Sequence, residues 1–76
     1  MNIKYDGPTT YCHILLMLKA GGFQQLGWLD KTDSGKFRVD FGLHNDYRHP
    51  HYFRRLKDAK SFVETRAREL YPAEAK

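Results

Sequence analysis

Between His44 and Lys57 the chain reads His-Asn-Asp-Tyr-Arg-His-Pro-His-Tyr-Phe-Arg-Arg-Leu-Lys, and its chemically versatile side chains are densest there. The stretch holds three of the four histidines and four cations, Arg48, Arg54, Arg55 and Lys57. Its one acid is Asp46, so it carries +3 of the chain's formal +4. Tyr47, Tyr52 and Phe53 add aromatic faces. Four chemistries suit that mixture in principle: metal ligation, catalysis, nucleic-acid contact and protein contact.

For a metal, His44, Asp46, His49 and His51 are ligand types, and zinc favours imidazole in a tetrahedral set. The spacing His-x4-His-x-His is not that of a paired-ligand site, and Cys12-His13 would have to supply a second pair. The simpler account is a set of solvated, partly stacked histidines, and neither a metal nor a cofactor is expected. For catalysis, a Cys12/His pair would be a nucleophile and its base. Cys12 adjoins an apolar run, where a small buried thiol is the usual reason for cysteine. No Gly-rich phosphate loop, Gly-x-Ser-x-Gly elbow or His-Glu-x-x-His is present. The expectation is a protein that binds and does not catalyse.

For nucleic acid, arginines would hold phosphates while Tyr47, Tyr52 or Phe53 stacks on a base. For a protein, the same Tyr/Arg/His mixture is what interface hot spots are made of, and Pro50 stiffens the segment so that less entropy is lost on binding. Arg48, Tyr52, Arg54 and Arg55 are the leading contact candidates. Tyr47, His49, His51 and Arg38 extend the surface. Phe53 and Leu56 read instead as anchors that hold the loop on the core.

The rest of the chain must position that stretch. Seventy-six residues with an apolar fraction of 41% make one small domain, 1–76, with a thin core. A single cysteine excludes an internal disulfide and favours a reducing compartment. The longest apolar run, Ile14 to Leu18, falls far short of the ~20 residues that span a bilayer. With no secretory pattern at the N-terminus, a cytoplasmic protein without a membrane partner is expected. The pI near 9.4 permits nucleic-acid contact without requiring it, because nine acids are mixed among thirteen bases.

The clearest element is the run from Lys36 to Leu43. Phe37, Val39, Phe41 and Leu43 point one way and Lys36, Arg38 and Asp40 the other, the period of two of a strand with one wet face. Thr32-Asp33-Ser34-Gly35 before it is turn chemistry, which makes 23–43 a hairpin. In its first arm Leu26 and Trp28 share one face, Phe23 and Leu29 the other. Gly27 interrupts the alternation and marks a bulge or a close backbone approach. Residues 57–71 read as a helix: Ala59, Phe62, Val63, Ala67, Leu70 and Tyr71 form one apolar stripe, and Pro72 ends it. Lys60–Glu64 and Glu64–Arg68 are spaced as ion pairs on its outer side. Pro72 to Lys76 is a short polar tail. Met1 to Tyr5 reads as a short strand with Ile3 inward. Residues 9–20 are a helix or a third strand. Thr9 or Thr10 as a cap, Gly21-Gly22 as a stop and a single β-branched residue in the apolar run favour the helix. The strand alternative buries Ile-Leu-Leu-Met-Leu on both faces and makes Gly21-Gly22 a hairpin turn. Either way the class is α+β, a small antiparallel sheet backed by the C-terminal helix.

The order Gly27-Trp28-Leu29, Gly35 to Gly42 (Gly-Lys-Phe-Arg-Val-Asp-Phe-Gly) and Leu56 to Glu64 (Leu-Lys-Asp-Ala-Lys-Ser-Phe-Val-Glu) resembles the strand-strand-helix pattern of ethylene-response-factor-type and integrase arm-binding DNA modules. That resemblance implies a sheet entering the DNA major groove with a helix behind it. The chain departs from the pattern in its His-rich loop and its preceding apolar segment. As a whole it is similar in kind to small stand-alone phage and prophage proteins, anti-CRISPR and other host-takeover inhibitors. That likeness implies a non-enzymatic protein that inhibits or modulates a host nucleic-acid-handling complex. The alternative is a direct DNA- or RNA-binding module. A homodimer through the hairpin edge is compatible with either.

Overall fold

The computed structural model describes residues 1–41 and 50–75. Among the described residues five strands form one antiparallel sheet in chain order: β1 (Asn2–Asp6), β2 (Tyr11–Met17), β3 (Phe23–Lys31), β4 (Phe37–Asp40) and β5 (His51–Phe53). One helix, α1 (Leu56–Leu70), covers one face of the sheet, and a short 3₁₀ turn (Pro72–Ala75) follows it. The architecture is the expected α+β class, with a sheet larger than the hairpin that the sequence makes obvious.

The core lies between the sheet and α1. Cys12, Ile14 and Leu16 of β2, Leu26 and Leu29 of β3, and Val39 and Phe41 are all buried against Ala59, Val63 and Ala67 of the helix. Those three helical residues recur every four positions, and their small size lets the helix axis approach the strands. Phe62 reaches sideways from the helix, with its ring centroid 6.0 Å from Phe41, 5.3 Å from Phe53 and 4.4 Å from His51. Ile3 and Tyr5 of β1 pack on the same core.

Residues 11–17 are a strand, not the helix that their flanking signals favour. Both signals serve the strand equally well. Gly21 (φ 103°) and Gly22 (φ 78°) take left-handed backbone in a hairpin turn. That turn is closed by the Leu18 N–H donating to the Gly22 carbonyl at 3.1 Å and the Gly21 N–H donating to the Leu18 carbonyl at 3.0 Å. Thr9 and Thr10 lie in the turn that leads into β2. Cys12, Ile14 and Leu16 then alternate into the core, a period of two that a helix could not deliver.

A second difference lies in β3. Ile14 is opposite Gly27 but Leu15 is opposite Gln25, so β3 carries one extra residue at Leu26. This bulge reverses the phase of the strand. Leu26 and Leu29 both face the core, while Trp28 moves to the opposite face, parting the pair that simple alternation put together. Gly27 also answers the second expectation for it. A Cβ there would clash with the Asp40 carbonyl oxygen and lie 2.9 Å from both the Asp40 carbonyl carbon and Phe41 Cα. The β3 and β4 backbones meet where a side chain would stand.

Two segments read as loop or tail are built into the fold. His51–Phe53 pairs with β4, so the end of the basic stretch is an edge strand. The polar tail turns back on the β2–β3 end of the sheet: the Lys19 N–H donates to Glu74 Oε2 at 2.9 Å, and the Lys19 ammonium donates to the Ala73 carbonyl at 3.4 Å. On α1 an ion pair joins Arg66 to Glu69 at 3.5 Å, and Lys60 lies over the Tyr5 ring, 4.8 Å from its centroid.

Two measurements check this packing. Gly27→Ala forces β3 and β4 apart, so a loss of at least ~2 kcal/mol is expected, on the order of 10 °C in Tm for a domain this size, read by thermal or urea melts. The Tyr5 hydroxyl is buried and unpartnered among the described residues. Burial first, and Glu64 and Cys12 after it, raise its pKa above the ordinary 10.0. Burial likewise raises the Cys12 thiol above its ordinary 9.0, against an opposing pull from Lys60. In both cases the unfolded chain gives up its proton at lower pH than the folded one. Stability is therefore complete below pH ~9 and falls as pH climbs beyond that value. Tyr5→Phe should leave Tm at neutral pH unchanged or raise stability by up to ~1 kcal/mol, since a buried hydroxyl without a partner costs free energy, and it should blunt the alkaline loss.

Candidate functional site

With α1 on one side, the other face of the sheet carries no described helix; Tyr11 and Tyr52 stand exposed on it, while Leu15 is buried there. Strand pairing sets its side chains in rows. Tyr11, Asp30, Arg38 and Tyr52 lie opposite one another across β2, β3, β4 and β5. The next row runs Asp6, His13, Trp28 and Asp40 across β1 to β4. The bulge at Leu26 makes the second row possible, because without it Trp28 would fall on the helix side.

The first row is tied together at its centre. Arg38 grips Asp30 with two parallel hydrogen bonds, Nε to Oδ1 at 3.0 Å and Nη2 to Oδ2 at 2.5 Å. That fork fixes the guanidinium plane as well as the charge. Its guanidinium is raised above the usual arginine range, first by the hydrogen bond to Asp30 and next by one with Tyr52. Arg38 is therefore a cation with its carboxylate already in place, held between β3 and β5. Tyr11 and Tyr52 stand at the two ends of the row, 51% and 53% exposed.

The second row is aromatic at its centre. The rings of Tyr11 and His13 meet edge to face with centroids 5.7 Å apart, and His13 meets Trp28 in the same way at 6.4 Å. Edge-to-face pairs of this kind are mutually attractive and hold each ring in one orientation. Tyr11, Trp28, Asp30, Arg38 and Asp40 enclose a cavity of about 180 Å³ between the rows. Asp40 Oδ1 is buried and accepts no hydrogen bond among the described residues. Asp6, Asp30 and Asp40 set three negative charges in these two rows against the single positive charge of Arg38.

The site residues expected from the sequence divide accordingly. Arg38 and Tyr52 are brought together as cross-strand partners. His51, one residue away, turns to the helix side and packs on Phe62, apart from them. Arg54 and Arg55 are exposed in the bend between β5 and α1, where Arg55 occupies the N-cap position without a side-chain cap. Tyr47, Arg48 and His49 lie outside the described residues, as do His44 and Asp46 of the metal reading and Leu43 of the β4 alternation. Among the described residues no three His, Cys, Asp or Glu side chains gather as a metal would require. Tyr11, His13, Trp28, Asp30 and Asp40 had no place in the sequence-derived site. Tyr11 and His13 become visible once 11–17 is read with period two, but Trp28 needs the bulge to be placed.

Among the described residues no helix is long and apolar enough to cross a membrane. No family model, curated protein or solved structure matches the chain.

Proposed function

We propose that this chain is a non-enzymatic binding protein that acts by occupying a protein surface within a host nucleic-acid-handling complex, in the manner of small phage-type inhibitors. The observation that carries the protein-binding part is the open sheet face, where exposed Tyr11 and Tyr52 flank a fixed Arg38–Asp30 pair and Trp28. Tyrosine, tryptophan and arginine are the residues in which interface energy concentrates. Here they sit on strands, so their rings are already oriented and little freedom is lost when a partner covers them.

The charge balance favours a protein over a phosphate backbone. Affinity for nucleic acid grows with the number of phosphates that free cations neutralise. The two rows that flank the cavity carry Asp6, Asp30 and Asp40, and their one cation, Arg38, already holds Asp30. The steric mechanism asks only that the face fit its target and stay there, in keeping with a site of aromatic rings and one ion pair. The host-inhibitor setting rests on the likeness to small stand-alone phage proteins.

The test combines two assays with two variants. Wild-type protein is titrated with short single- and double-stranded DNA and RNA over a range of salt, and it is used as bait in a bacterial lysate. The expected outcome is no micromolar oligonucleotide binding and a retained protein that survives moderate salt. Tyr52→Ala should weaken that capture by about 30-fold, the ~2 kcal/mol typical of a hot spot, while Arg54→Ala/Arg55→Ala leaves it largely intact. Micromolar oligonucleotide binding that is steep in salt and lost in the double-arginine variant would replace this reading with a direct nucleic-acid module.

A further inference from the structure

The cavity between the two rows has walls of a kind that few ligands match. Two of its five lining residues are aromatic, Tyr11 and Trp28, and two are carboxylates, Asp30 and Asp40. The fifth, Arg38, is held by Asp30 through both of its donors that face that carboxylate. With that pair neutralised, the remaining charge at the cavity is the negative charge of Asp40. Its Oδ1 is buried with no donor among the described residues. A buried carboxylate oxygen without a donor is an acceptor in want of one. We propose that this cavity receives a lysine or arginine side chain presented by the protein partner.

The fit is chemical in three respects. The faces of tyrosine and tryptophan rings carry negative potential, so they attract an ammonium or guanidinium group that enters between them. The same rings cover the aliphatic stem of such a side chain, which buries readily against apolar surface. Asp40 then supplies the counter-ion and accepts a charge-assisted hydrogen bond that no described residue gives its Oδ1. The volume of about 180 Å³ admits one side chain and not a folded element. A phosphate meets the opposite situation, because Asp40 repels it and Arg38 is already paired with Asp30. The inference rests on the open face being a protein-binding surface and names the feature of the partner that this face selects.

Trp28 is the chain's single tryptophan, so the cavity carries its own reporter. Trp28 fluorescence is followed while the folded protein is titrated with Nα-acetyl-lysine methylamide, the arginine analogue, the uncharged norleucine analogue and an oligothymidylate. The expected result is a saturable change with the lysine or arginine analogue in the millimolar range, none with norleucine, and at least about a tenfold loss of affinity in Asp40→Asn. No saturable response to either cation, an equal response to norleucine, or an unchanged response in a folded Asp40→Asn protein would overturn the proposal. So would saturation by oligothymidylate in place of the cations. The lysine–norleucine comparison uses wild-type protein, so it decides the matter even if Asp40→Asn fails to fold. Tyr52 does not line the cavity. If the cations fail while Tyr52→Ala still abolishes capture of the partner, the cavity assignment falls and the protein-binding reading stands. If Tyr52→Ala has no effect either, both fall.

Discussion

Everything on the open face depends on the close approach of two backbones at Gly27. There β3 runs so near Asp40 and Phe41 that no Cβ fits between them. The same place absorbs an extra residue, so that Leu26 and Leu29 both point at α1 although they are three positions apart. A regular strand would have sent one of them into water and Trp28 into the core. The bulge puts Leu29 in the core in place of Trp28 and leaves the larger ring on the opposite face. A single side-chain-free position thus serves packing and display together.

The two faces of the sheet are composed on different principles. Toward the helix the side chains are aliphatic, with Phe41, Phe53 and Phe62 filling the β4–β5 end. Toward solvent, aromatic rings alternate with charges, and the contacts run along β2, from Tyr11 to His13, and across strands, from His13 to Trp28 and from Arg38 to Asp30. Cross-strand pairs of this sort contribute a few tenths to ~1 kcal/mol each, enough to fix register without holding up the domain. The Arg38 fork matters most where the sheet is weakest. β5 is three residues long and has one strand neighbour, and Arg38 meets its central residue, Tyr52, while gripping the strand on its other side. On the far face Phe53 and His51 clamp the same short strand to Phe62.

What the sequence made legible follows from how far each signal reaches. β4, α1 and the Thr32–Gly35 turn were readable because each carries its own period or turn chemistry over consecutive residues. Gly27 stood out because it broke a period, and both physical meanings assigned to it are present. The helix favoured for 9–20 failed because a threonine and two glycines signal a chain reversal without saying what lies between. Tertiary pairing with β1 and β3 decided that in favour of a strand. β5 was hidden among basic residues because three residues carry no period at all. On the candidate face, Arg38 and Tyr52 are legible as surface residues, but their partnership is a contact between residues fourteen positions apart, and simple alternation pairs Trp28 with Leu26, which the bulge sends to opposite faces.

In the sequence Arg38 counts as one more positive charge on a basic protein, available to a phosphate. In the fold it is half of an ion pair, with Nε and Nη2 turned to Asp30 and its plane fixed. A partner that covers this pair meets a preformed dipole and incurs little reorganisation. A polyanion would have to pull Arg38 away from Asp30 and leave that carboxylate beside its own phosphates. The formal charge of +4 is a sum over the whole chain, but recognition is local. Around the cavity the described charges are two carboxylates and one engaged arginine, with Lys4 on a neighbouring row of the same face, so the proposed preference for a positive group belongs to the cavity and not to the face as a whole.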